Sequence, residues 1–94
     1  MEHCLEIRSV AGRRVVAIQG DVDLAVAEEV RDALEKQVAK GRPVLVDCSG
    51  IQFIDSRGLS ALICARYAAN QASVSFQLAG VSEPMHRAMR AAGI

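Results

Sequence analysis

Tryptophan is absent from this 94-residue chain, and Phe53, Tyr67 and Phe76 are its only aromatic residues. The core must therefore be built from Val, Leu, Ile and Ala, and the shortage argues against a stacking platform for single-stranded nucleic acid. An excess of one charge is missing too. Eleven basic residues balance eleven acidic ones, so no electrostatic footprint for DNA, RNA or an anionic membrane is written into the composition. Paired cysteines are lacking: Cys4, Cys48 and Cys64 are odd in number and widely spaced. That fits neither a C-x-x-C metal motif nor a disulfide framework, and the expectation is reduced, mostly buried thiols. Met1-Glu2-His3-Cys4 has no basic segment leading into an apolar one, so no signal peptide is expected. The apolar runs are too short to span a bilayer, which points to a cytoplasmic protein without membrane insertion. His3 and His86 sit in no constellation of ligands, and neither a metal nor a cofactor is expected.

What is present reads as one small domain, residues 1–94, with 51% hydrophobic residues and a modest core. Leu5 and Ile7 alternate with Glu6 and Arg8 at the period of a half-buried strand. Ala11-Gly12 is a turn, and Arg14 to Gln19 reads as the second strand of a hairpin. Gly20-Asp21-Val22-Asp23 breaks that pattern, with Asp23 placed to cap a helix. Leu24, Ala27, Val30, Leu34 and Val38 then form one apolar stripe at helical spacing, and Asp32 and Lys36 are spaced for weak mutual support. Lys40-Gly41 closes the helix.

Val44-Leu45-Val46 is a continuous apolar run typical of a central strand covered on both faces. Asp47 to Gly50 reads as a turn, and Ile51 to Ile54 returns toward the sheet. A second helix begins at Asp55 or Ser56, with Leu59, Leu62 and Ile63 at helical spacing beside small Ala61, Ala65 and Ala68. Ser73 to Leu78 alternates as a strand covered mainly on one side. Gly80 punctuates, Ser82 caps, Pro84 occupies a permitted first turn, and Met85, Ala88 and Met89 face inward. The order β-β-α-β-α-β-α, with right-handed crossovers, makes an α/β fold: a mixed sheet with helices on one or both faces.

The informative stretch is Val44 to Ile63, where a strand gives way to the helix start Asp55-Ser56-Arg57-Gly58. With Asp55 accepting from the amide of Arg57 or Gly58, Ser56 becomes the first helical residue. Its hydroxyl then points outward beside free N–H groups and the positive end of the helix dipole. Gly58, lacking a side chain, would let a partner's backbone approach closely. Such a position suits phosphorylation, which adds about −1.5 to −2 charges and disrupts a partner already packed there.

Three segments in order, Gly20-Asp21-Val22-Asp23, Asp47-Cys48-Ser49-Gly50 and Phe53-Ile54-Asp55-Ser56-x-Gly58-Leu59, resemble the signature segments of STAS domains, most closely the bacterial anti-sigma factor antagonists. The resemblance covers nearly the whole chain and implies a STAS-like mixed sheet packed with helices. It also implies a partner: an anti-sigma factor with serine-kinase activity, which phosphorylates the serine matching Ser56. Unphosphorylated antagonist binds that kinase and frees its sigma factor, and phosphorylated antagonist lets go. The partner-binding residues expected on this basis are Asp21, Asp23, Asp55, Ser56, Arg57, Gly58 and Ser60, with Asp21 and Asp23 also acting as turn and cap.

Two positions depart from the family pattern. Arg57 stands where Ser or Thr is usual, and Ser60 replaces the second glycine of G-L-G. A guanidinium beside Ser56 could pair with a phosphate or an acidic partner, could obstruct a kinase pocket shaped for a small residue, or could simply be solvated. Family members usually continue beyond the position of Ile94 into another strand and helix. A sheet shortened at the C-terminus would expose an edge, where a homodimer could form. Catalysis is not expected: there is no G-x-S-x-G elbow, no Walker-type phosphate loop and no carboxylate pair that stands out. The alternative function is a non-switching STAS subunit that holds a partner ATPase, as in lipid-transport ABC systems or larger signalling complexes.

Overall fold

The computed structural model describes residues 5–93, so His3 and Cys4 lie outside the described residues. Strand β1 (Leu5–Val10) turns into β2 (Arg13–Val22) at Ala11 and Gly12, whose φ values are 51° and 82°. Two consecutive positive-φ residues match the right-handed twist of the flanking strands, which is why a two-residue hairpin uses them. Beyond the hairpin come α1 (Leu24–Ala39), β3 (Val44–Ile54), α2 (Ser56–Gln71), β4 (Phe76–Ala79) and α3 (Glu83–Ala91). The order is the expected β-β-α-β-α-β-α. The sheet is mixed, ordered β1-β2-β3-β4, with β1–β2 antiparallel and the β2–β3 and β3–β4 pairs parallel.

One face of that sheet carries the core. Along β3, Val44, Val46 and Cys48 are buried, whereas Leu45 and Asp47 are half-buried and Ser49 is exposed. The buried row joins Val16 and Ile18 of β2, Val30 and Leu34 of α1, Leu62 and Ala65 of α2, and Met85 of α3 in a single cluster. All three helices therefore cover the same face. The apolar run at Val44 reflects a central position in the sheet, not helices on both sides.

Several local expectations are corrected. The Gly20-Asp21-Val22 segment does not end β2. Its register against β3 shifts between Ala17 and Gln19 and again between Gly20 and Asp21, with Gly20 at φ 84°, so the strand absorbs the irregularity and continues to Val22. Asp47 to Gly50 is likewise strand and not turn. The Asp47 carboxylate accepts from the Ser49 amide (3.0 Å) and the Ser49 hydroxyl (2.7 Å), local bonds that give the segment a turn-like sequence within an extended backbone. Those bonds also hold the Asp47 carboxyl below its ordinary pKa. Ser82 stands at the N-cap of α3 but makes no cap bond, and its hydroxyl donates instead to the Ile51 carbonyl at 2.8 Å. Asp32 bonds Arg31, not the expected Lys36. Leu24 and Ile63, placed on apolar faces by their spacing, are 63% and 47% exposed. Cys48 is buried as expected, its thiol pushed up to about 12 by desolvation and by Asp47, but Cys64 is exposed.

Candidate functional site

The chemistry suggested by the sequence gathers where β2 and β3 end. Parallel pairing sets Asp21 against Phe53 and Val22 against Ile54, so both strands stop at the same level. Each is followed by one aspartate and a helix. Asp23 caps α1 by accepting from the Ala25 amide, and Asp55 caps α2 by accepting from the Gly58 amide, both at 3.0 Å. Two orphan N–H groups are thus satisfied, and the starts of two helices lie side by side at one end of the sheet.

Ser56 is the first residue of α2 and is exposed. Its hydroxyl makes no hydrogen bond among the described residues, so it stands free at the positive end of the helix dipole. Asp21, Arg57 and Ser60 are exposed around it, and Asp23 and Asp55 are half-buried. No ion pair engages Arg57 among the described residues.

Gly58 behaves differently from its sequence reading. It is buried, and a Cβ there would overlap the Val22 carbonyl oxygen and lie 2.7 Å from Ile54 Cγ1. The close approach that its bare backbone permits is to β2 inside the fold. Its contribution to the site is to seat α2 against the sheet and so fix where Ser56 stands.

Sequence reasoning missed two apolar side chains at this end. Phe53 is 51% exposed and Leu24 is 63% exposed. Phe53 had a legible signal: with Ile54 inward, strand alternation turns its neighbour out. Leu24 had none, because it fits the helical stripe, yet as the first residue of α1 it stays exposed while Ala27 and Val30 of the same stripe are buried. Between the helices, a groove of about 300 Å³ has Leu24, Glu28 and Arg31 on the α1 side and Arg57, Ser60 and Cys64 on the α2 side. Among the described residues, no group of His, Cys, Asp and Glu could hold a metal, and no helix is long and apolar enough to cross a membrane.

The family described as "Mlab, STAS domain" matches residues 6–94. No curated protein matches the chain in sequence. Among solved structures, an anti-sigma factor antagonist from Mycobacterium paratuberculosis is 22% identical over 95% of this chain and 76% of its own, with a TM-score of 0.80. The phosphorylated form of the Bacillus cell fate determinant SpoIIAA is 15% identical over 95% of this chain and 83% of its own, with a TM-score of 0.74. Mglu is 20% identical over 79% of this chain with a TM-score of 0.70, and there the chain spans only 19% of the other protein. At these identities the likeness is one of fold.

Proposed function

Because the chain belongs to the STAS domain family, we propose that it acts as a single domain, residues 1–94, and as an anti-sigma factor antagonist in the cytoplasm. In this reading it binds a cognate anti-sigma factor with serine-kinase activity and is switched by phosphorylation at Ser56. The observation that carries the reading is the exposed, unbonded hydroxyl of Ser56 on the first residue of an Asp55-capped helix. A phosphate there adds about −1.5 to −2 charges, which the helix dipole tolerates locally but a packed partner does not. A loss of roughly 3 kcal/mol of binding on phosphorylation lowers affinity about a hundredfold, enough for a switch. The domain itself performs no catalysis in this scheme. Asp21, Arg57 and Ser60 border the contact, while Asp23, Asp55 and Gly58 hold the two helix starts in place. Incubation with the anti-sigma kinase and ATP, followed by intact mass and peptide mapping, tests it. The expected result is one phosphate on the Ser56 peptide and none on the Ser56→Ala protein. A kinase that binds the chain yet leaves Ser56 unmodified counts against the switch.

Arg57 favours a second reading, in which the same surface holds a partner ATPase without being its substrate. A guanidinium directly after the acceptor hydroxyl is a poor fit to a kinase pocket shaped for a small side chain. An Arg57→Ser protein that becomes phosphorylated where the native chain does not would single out this reading.

A further inference from the structure

The groove between α1 and α2 has a regular construction. Its lining comes from positions 24, 27, 28 and 31 of α1 and positions 57, 60, 61 and 64 of α2. Both sets follow the i, i+3, i+4, i+7 spacing of one helix face. The floor is made of small, buried side chains, Ala27 and Ala61, and the lining spans about 10 Å along each helix axis. Two parallel ridges with a small-residue floor are the shape into which a third helix packs, its large apolar side chain entering as a knob between the ridges. Leu24 stands at one mouth of the groove with 63% of its surface exposed, an unpartnered apolar wall for that knob.

Charge narrows the occupant further. Arg31 is shared between Glu28 (3.4 Å) and Asp32 (3.5 Å). Arg57 makes no ion pair among the described residues, which leaves one uncompensated cation on the wall. A carboxylate from an occupant would complete a charge-assisted pair there.

We propose that this groove receives an amphipathic helix of the partner, with a bulky apolar side chain against Leu24 and the Ala27–Ala61 floor and an Asp or Glu set against Arg57. The inference rests on the reading of Ser56's surface as a partner-binding surface, and it extends that contact from the helix start down two turns of α1 and α2. Arg57 then has a role whether or not Ser56 is phosphorylated, as the residue that reads the acidic side of the partner helix.

Site-specific photo-crosslinking in the native host tests it, with p-benzoylphenylalanine installed at Leu24 in one protein and at Phe53 in another, and crosslinked peptides identified by mass spectrometry. The expected result is a crosslink from position 24 to an amphipathic partner segment containing Asp or Glu. The same partner should be lost by at least about tenfold in yield when Arg57→Glu sets like charges against each other. Replacing the partner's acidic residue by Arg should restore the yield to the Arg57→Glu protein. A partner captured from position 53 but not from position 24 overturns the groove proposal and leaves the binding surface at Ser56 standing. A crosslink from position 24 to a second copy of the chain, or to a partner segment without a carboxylate, also overturns it. No crosslink from either position removes both readings together.

Discussion

The two strand-to-helix junctions of this protein are near copies with different contents. β2, Asp23 and α1 form one, and β3, Asp55 and α2 form the other, held in parallel register by Val22 and Ile54. Counting from each cap, the first junction reads Leu24, Ala25, Val26 and the second reads Ser56, Arg57, Gly58. Asp23 bonds the second amide of its helix, whereas Asp55 reaches the third. The third position holds Val26, packed against the core, in α1, and Gly58, pressed on the Val22 carbonyl, in α2. The same backbone device thus presents an apolar side chain at one helix start and a hydroxyl at the other. What distinguishes them is the third position, where α1 has room for a valine side chain and α2 stands so close to the Val22 carbonyl that only glycine fits.

The strongest way to break that contrast is to make the second junction resemble the first at its third position. Gly58→Ala gains helix propensity of about 1 kcal/mol, but its Cβ would collide with a backbone oxygen that belongs to the sheet and cannot rotate away. Overpacking of this kind costs about 1–3 kcal/mol and more where backbone must move. We expect a net loss of about 3 kcal/mol in denaturant unfolding, and a loss below about 1 kcal/mol would show that α2 is not seated as described. Val26→Ala, at the matching position, trims a partly buried side chain and should cost only about 1 kcal/mol.

The caps come next. Asp55→Ala and Asp23→Ala each remove an N-cap worth about 1 kcal/mol. The bond from Asp55 is part-buried and the one from Asp23 is exposed. An unsatisfied amide costs more where water reaches it less readily, so Asp55→Ala should be the more destabilising of the two by thermal unfolding. The reverse order would mean that the first junction, not the second, is the anchored one.

How much of this is legible in the sequence can be traced residue by residue. Both caps, the element order and the surface position of Ser56 follow from local chemistry: a short acceptor before a helix and small residues along its buried face. What was not legible depends on neighbours distant in sequence. Gly58 reads as an open door because composition cannot show that the Val22 carbonyl stands behind it. Leu24 fits the apolar stripe because periodicity records the direction of a side chain and not whether the core extends beneath it. Asp47 looks like a turn residue because its bonds to Ser49 are local, yet pairing with β2 keeps the backbone from Asp47 to Gly50 extended.

Smaller effects on stability accompany larger ones on binding at the first helical positions. Ser56→Ala should leave stability within about 0.5 kcal/mol, since the hydroxyl has no partner to lose. Ser56→Asp puts a carboxylate at the positive end of α2 and should stabilise the fold by about 0.3–1 kcal/mol at low salt, an increment that salt removes. Ser56→Asp is also the closest approach to a phosphate that substitution allows, so on the proposed switch it binds the anti-sigma kinase more weakly than Ser56→Ala does in calorimetry. Equal affinities for the two would detach charge at Ser56 from partner release.

The least change is expected from Leu24→Ser, which gives the first junction the residue of the second. A fully buried leucine contributes about 1.5–3 kcal/mol relative to an exposed one. With 63% of its surface in water, Leu24 retains only about a third of that, roughly 0.5–1 kcal/mol. Serine is well tolerated at a helix start, so the net loss should fall at or below about 0.5 kcal/mol in denaturant unfolding. A loss above about 2 kcal/mol would place Leu24 in the core with the rest of its stripe and erase the difference between the junctions. A small loss with an unchanged slope against denaturant would leave Leu24 as a side chain the fold does not need, held at the mouth of a groove for something outside it.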